Sequence, residues 1–173
     1  ASELINKKNK IKQGAAILLT LPGRPFIYYG EELGMLGVKP DENIREPFLW
    51  RDKEVDDSRT KWMVPSHTAD STVQNACIQQ IRANSILNTY KSLIRTRKES
   101  QALSQGDLKN IDINSRYVLG YLRSSKGQSV LVLHNVGKQK VSLDLPSKFL
   151  GYSNVLFKMR ARMTKEGSVE MSA

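Results

Sequence analysis

The stretch from Ala15 to Trp50 constrains this chain more than any other. Ile11, Ala15, Leu18 and Leu19 recur at helical spacing and stop at Leu21-Pro22-Gly23, where proline and glycine end a helix. Pro25 to Tyr29 follows, a continuously apolar run of strand length. Such a run predicts a strand buried on both faces of a parallel sheet. Beyond it, Gly34 to Thr72 reads as a long irregular segment, closing its charged part on Arg45, Pro47 and Trp50. That much irregular chain is unusual in a compact domain unless the loop has a task. A polar loop at the C-terminal end of a buried strand is where α/β barrels place substrate-handling groups.

Further along, Ser71 with Gln74 three residues on forms a capping box. Val73, Cys77, Ile81, Asn84, Leu87, Tyr90 and Ile94 then trace a helical stripe, apolar except at Asn84, which predicts one long helix to about Lys98. Arg95, Arg97 and Lys98 suit its negative end. After Ser104-Gln105-Gly106 the period changes to two. Tyr117, Leu119 and Tyr121 alternate in one strand, Val130 to Leu133 form the heart of the next, and Val141, Leu143 and Leu145 alternate with polar residues in a third. Ser124 to Gly127 and Asn135 to Lys138 supply turns, while Tyr152 to Phe157 and Val169 to Met171 are weaker strand candidates. These strands predict an antiparallel sandwich. The domain boundary is placed near Gln101.

With 173 residues the chain can hold one or two small domains with real cores. No apolar run reaches the roughly 18 residues of a membrane span. Ala1 to Lys12 has the charge of a signal-peptide n-region, but no clean apolar stretch follows it. The net charge of +10 is spread over loose clusters at Lys7 to Lys12, Arg95 to Lys98 and Lys158 to Lys165, none with interleaved aromatics. A solvated basic face explains it better than nucleic-acid binding. The single cysteine, Cys77, excludes an internal disulfide, and its place in the stripe predicts a small buried hydrophobe. His67 and His134 have no cysteine or carboxylate at ligand spacing, which argues against zinc. Phosphate-loop, G-x-S-x-G and paired-cysteine motifs are absent from the sequence.

LTLPGRPFIYYGEELGM followed by PDENIREPFLW resembles the eighth-strand region of the α-amylase superfamily, glycoside hydrolase family 13. The resemblance runs to the end of the chain. It implies the last helix, eighth strand and final helix of a (β/α)8 barrel over residues 1–100, then the all-β sandwich called domain C over 101–173. PDENIREPFLW looks more like starch-acting α-amylases and neopullulanase-like relatives than like oligo-1,6-glucosidases. Asp41 and Arg45 match the family's D-x-x-x-R segment, which in several relatives hydrogen-bonds sugars. A carboxylate and a guanidinium can jointly grip vicinal hydroxyls; a salt bridge that merely fixes the loop is the rival role. Gly30 to Glu32 match the G-x-E ending of the eighth-strand motif, which is near the active site but not catalytic, so Glu31 and Glu32 are expected to be structural. For Tyr28, Tyr29, Phe48 and Trp50 core packing is expected ahead of sugar stacking.

The family cleaves α-glucosidic bonds with retention, using a carboxylate nucleophile and a carboxylic acid/base about 5–5.5 Å apart. In the family these follow strands four and five, and a further Asp lies in an N-H-D motif after strand seven. None of these motifs is in this sequence, and no catalytic residue is assigned. The resemblance therefore implies the C-terminal part of a secreted or cell-surface enzyme acting on α-1,4-glucans, with this segment inactive alone. Calcium is an expectation only for the longer enzyme, since the family's usual ligands lie upstream; no cofactor or metal is assigned to these residues. The expected partner is the α-glucan substrate, with no nucleic acid and no membrane span. Self-association through the unpaired apolar strand is also expected. The rival readings are a non-catalytic carbohydrate-binding or interaction module and a basic nucleic-acid binder.

Overall fold

A computed structural model describes residue 4 and residues 7–52, 55–68, 72–149, 151–152, 154–164 and 168–172. The chain divides into two compact units, Ala1–Leu18 with Pro25–Leu93, and Leu19–Arg24 with Ile94–Ala173.

In the first unit, helix α1 (Lys8–Thr20) begins where the helical spacing does and ends before Pro22. Ile11, Ala15 and Ala16 are its buried apolar positions within the unit. The segment after Pro25 departs from expectation. Residues 24–28 take no regular structure, and Phe26 is 89% exposed. A parallel strand exists only as one side of a ladder, and no described residue pairs with this one. The sequence of an eighth strand is present; its hydrogen-bonded form is not.

A short 3-10 helix, Glu31–Leu33, follows, flanked by Gly30 and Gly34 with φ of 80° and 75°. A side chain at Gly34 would bring its Cβ to 2.7 Å from Ile86 Cδ1, so glycine is required by both conformation and packing. Leu33, Met35, Leu49 and Val73 form this unit's core, with Leu36, Phe48 and Leu87 packed against it.

The expected single helix over residues 73–98 is two helices. Helix α2 (Ala76–Ile81) is capped by Asn75, whose side chain accepts from Ile78 N. Helix α3 (Ile86–Glu99) starts anew after Ser85. Of the expected capping box, Ser71 lies outside the described residues. The break has a polar cause. Asn88 Nδ2 donates to the carbonyls of Gln79, Gln80 and Arg82, while Ser85 Oγ donates to Gln79 O and accepts from Asn88 N. Side chains that bond the backbone end helices in this way. The stripe accordingly fails at its middle: Ile81 is 84% exposed, and Cys77 is exposed rather than buried.

The second unit is built on ladders. Helix α4 (Gln101–Gln105), capped by Ser100, leads into strand β1 (Asp107–Asn110). Strands β2 (Val118–Ser125) and β3 (Gln128–Asn135) pair antiparallel from Val118↔Asn135 to Ser125↔Gln128, and β1 lies on the other side of β2. Strands β4 (Val141–Asp144), β5 (Ala161–Met163) and β6 (Ser168–Met171) form a second sheet with β6 in the centre. Val141, Leu143 and Met171 of that sheet pack with Val118 and Leu133 of the first. This is the expected sandwich. β4 alternates buried and exposed as the period of two requires. The described residues of Tyr152 to Phe157, by contrast, form no strand, and β1, β5 and α4 were not foreseen.

Two arginines complete this unit. Arg97 donates to the carbonyls of Leu19, Leu21 and Gly23 at 2.6–2.8 Å. Arg123, 1% exposed, donates to Thr20 O at 2.5 Å and Gly106 O at 2.7 Å. The last carbonyls of a helix lack intrahelical donors and carry partial negative charge, so cations are their natural caps. Burial lowers the pKa of both guanidinium groups. Beside them Thr20 Oγ1, Tyr121 OH and His134 Nε2 meet within 2.6–3.3 Å. Burial pushes the His134 imidazole down to about 4.

Candidate functional site

Asp41 and Arg45, the pair singled out in the sequence, do come together. A 3-10 turn over Asp41–Ile44 starts behind Pro40, and Arg45 N closes it by donating to Glu42 O. One such turn brings residues four apart onto one side, and Arg45 Nη2 lies 3.9 Å from Asp41 Oδ2. At that separation the charges attract without sharing a hydrogen bond. Both side chains are about 60% exposed. Arg45 Nε donates instead to Tyr28 OH at 3.2 Å, and this bond first, then the nearby carboxylates, stabilises the guanidinium charge. A carboxylate and a guanidinium thus stand side by side with most of their hydrogen-bonding capacity open.

The aromatic residues nearby depart from the expected core role. Tyr28, Tyr29 and Trp50 are each nearly half exposed, and Phe48 is partly buried. Phe48 sits between the other two rings, 5.6 Å from Tyr29 edge-on and 4.4 Å from Trp50. Leu49 points the other way and is fully buried. Leu49 is thus the core residue of this segment and Trp50 faces outward, while Phe48 packs against the edge of the core as expected. Glu31 makes a local turn contact: its Oε2 accepts from Tyr28 N at 3.1 Å.

Sequence reasoning missed Glu46. Its side chain is fully buried, between an exposed Arg45 and Pro47. Oε1 accepts from Ser66 N at 2.7 Å, Ser66 Oγ at 3.2 Å and His67 N at 2.8 Å, and Oε2 from Thr68 N at 2.6 Å. Burial alone would raise its pKa. The donors outweigh burial and hold the carboxyl below the usual carboxylate value. Thr68 Oγ1 bonds Leu36 N and O in turn, and Tyr29 OH donates to Glu46 O. Asp56 plays a smaller part of the same kind, accepting from Trp50 N and Arg51 N. A carboxylate set in a run as apolar as Pro47 to Trp50 was the available signal, because a buried charge must be met by donors.

A cleft of about 160 Å³ in the same unit is lined by Leu33, Gln79, Arg82 and Ser85 among others, and includes neither Asp41 nor Arg45. Among the described residues no group of three or more His, Cys, Asp or Glu could hold a metal ion.

Comparison with known proteins agrees with this architecture. The family model described as the α-amylase catalytic domain matches residues 2–106, and that of the α-amylase SusG C-terminal domain matches residues 118–173. Alpha-amylase 3 of Dictyoglomus thermophilum is 41% identical over 123 residues, covering 71% of this chain and 25% of that protein. Alpha-amylase SusG of Bacteroides thetaiotaomicron is 33% identical over 86% of this chain and 22% of its own length. Among solved structures, the α-amylase from H. orenii superposes with a TM-score of 0.83 at 29% identity, covering 99% of this chain and 35% of the other. Relatives also include a 4-alpha-glucanotransferase of Thermotoga maritima, 32% identical over 78% of this chain and 31% of that protein, and a trehalose synthase of Thermus thermophilus, 32% identical over 76% and 15%.

The chain belongs to the α-amylase family, glycoside hydrolase family 13, and joins the end of its catalytic domain to a C-terminal β-sandwich. It spans about a quarter of the length of these two curated α-amylases.

Proposed function

We propose that this chain is the closing part of a retaining glycoside hydrolase acting on α-1,4-glucans such as starch and maltooligosaccharides. In it Asp41 and Arg45 grip vicinal hydroxyls of a glucose unit. The observation that supports this best is their geometry: opposite charges 3.9 Å apart, exposed, with Arg45 steadied by Tyr28 rather than closed onto Asp41. A locked salt bridge would have spent those donors on itself. The pair binds and orients substrate; the bond-breaking carboxylates belong to family motifs outside this sequence. Because relatives include a glucanotransferase and a trehalose synthase, hydrolysis is the part of this reading that product analysis must decide. Water as acceptor gives reducing ends, whereas a sugar acceptor gives new oligosaccharides. Export of the enzyme to the cell surface or medium belongs to the same reading.

In the complete enzyme, Arg45→Ala is expected to lower kcat/KM about ten- to a hundredfold with the fold intact, because a charge-assisted hydrogen bond is worth about 1.5–3 kcal/mol. Unchanged kinetics would reduce the pair to a loop contact. The chain by itself should release no reducing sugar from starch, pullulan or maltooligosaccharides. Tight maltooligosaccharide binding by the chain alone, without turnover in the complete protein, would favour a non-catalytic carbohydrate-binding module. Alone, it should also self-associate through residues 25–29, seen as a mass that rises with concentration in sedimentation; Phe26 and its exposed neighbours motivate this.

A further inference from the structure

Arg45 and Glu46 are consecutive and point opposite ways, one into solvent and one fully buried. Each is read by one of a second consecutive pair. Tyr28 OH accepts from Arg45 Nε, and Tyr29 OH donates to Glu46 O at 3.0 Å. The Glu46 carboxylate meanwhile accepts four hydrogen bonds from Ser66, His67 and Thr68, and Thr68 is tied to Leu36 through two more. One stretch of irregular chain, 66–68, therefore closes on the Glu46 carboxylate and is tied on to Leu36 through Thr68, while Tyr29 holds the Glu46 carbonyl. Apart from the bond to Tyr28 OH, Arg45 has no such anchor; its own backbone N–H closes a single 3-10 turn. An exposed arginine on a one-turn loop would ordinarily sample many rotamers, and each unfixed side chain loses binding energy when it must be ordered by ligand.

We infer that Glu46 is a positioning residue for Arg45: its buried carboxylate holds the 45–46 peptide so that the guanidinium stands beside Asp41, ready for a sugar hydroxyl pair. This rests on the proposed role of Arg45 in substrate contact. Glu46 touches no substrate. It acts by removing freedom from the residue next to it, as preorganised sites do.

A double-mutant cycle separates this role from plain support of the fold. In the complete enzyme Glu46→Gln keeps shape and polarity but turns an amide donor toward the N–H groups of residues 66–68. It is expected to lower kcat/KM about tenfold, chiefly through KM, and to cost less than about twofold once Arg45→Ala is already present. An equal cost in both backgrounds would overturn the inference. If Arg45→Ala alone changes nothing, the proposed function has failed, and a second measurement still judges the positioning. In the 173-residue chain, the 15N heteronuclear NOE of Arg45 Nε should fall in Glu46→Gln, reporting a loosened guanidinium; an unchanged value overturns it. Should Glu46→Gln not fold, Ser66→Ala takes its place in both arms. Ser66 is exposed, and its variant loses one bond to the Glu46 carboxylate, with about a two- to fivefold effect expected in the same direction.

Discussion

The two units hold their irregular and regular parts by opposite means. In the second, backbone bonds backbone along six antiparallel strands, and side chains serve the backbone mainly beyond the ladders, as Arg97 and Arg123 do at the carbonyls that end helix α1. In the first, much of the backbone between Gly34 and Thr68 has no ladder, and side chains do that work: Glu46 for residues 66–68, Thr68 for Leu36, Asp56 for Trp50 and Arg51. A ladder distributes its bonds over many residues. A carboxylate nest concentrates them on one. Loss of a single side chain should therefore be felt differently in the two units.

Hydrogen exchange should show the contrast at its largest. Amides at the centre of β2 and β3 should open only with the whole unit, whereas those of Phe26 and Ile27 should exchange close to the unfolded rate. A difference of roughly a thousandfold or more is expected. Equal protection would mean that Phe26 and Ile27 find partners in solution, and its dependence on concentration would show whether those are other copies.

The next largest effect falls on the capping arginines. Arg123→Met keeps bulk but strands the carbonyls of Thr20 and Gly106, and should cost about 2–5 kcal/mol in denaturant unfolding. A cost below 1 kcal/mol would show that water or Arg97 replaces it.

Titration should separate the units by pH window. His134 is held neutral in the fold, with its pKa lowered from 6.5 to about 4. The unfolded chain therefore binds the extra proton first, and stability falls as pH drops from about 6.5 to about 4, by roughly 3 kcal/mol in all. His134→Gln should remove that slope. Glu46 is shifted below 4.5, so its contribution is complete above that value and disappears only as pH falls further. Acid should thus loosen the sandwich before it loosens the loop. A stability curve flat between pH 6.5 and 4.5 would break this order.

Smallest is the expected effect of Ser66→Ala. It removes one of the four bonds to Glu46 and should cost about 0.5–1.5 kcal/mol, read as a shift in Tm of a few degrees.

What could be read from the sequence follows from how local each signal is. The stop of α1 at Pro22, the alternation of β4 and the β2–β3 hairpin need only neighbours within a few residues. The Asp41–Arg45 approach needs only one turn, and the family motif named both residues. The helix break at Arg82–Ser85 was hidden because its cause is polar side chains folding back on the backbone, which an apolar stripe does not register. The exposure of Tyr28, Tyr29 and Trp50 was hidden because their character is the same on a core face and on an open one. Glu46 and Arg123 were hidden most deeply, since charged residues read as surface until donors or carbonyls from distant segments close around them.

Sequence alone thus determined the family, the order of barrel end and sandwich, and the approach of Asp41 to Arg45. These rest on composition, spacing and motif, all local in the chain. Tertiary structure decided which charges are buried and what orients Arg45. That depends on groups twenty to a hundred residues apart meeting at hydrogen-bond distance, where a buried charge is tolerated only if its partners arrive.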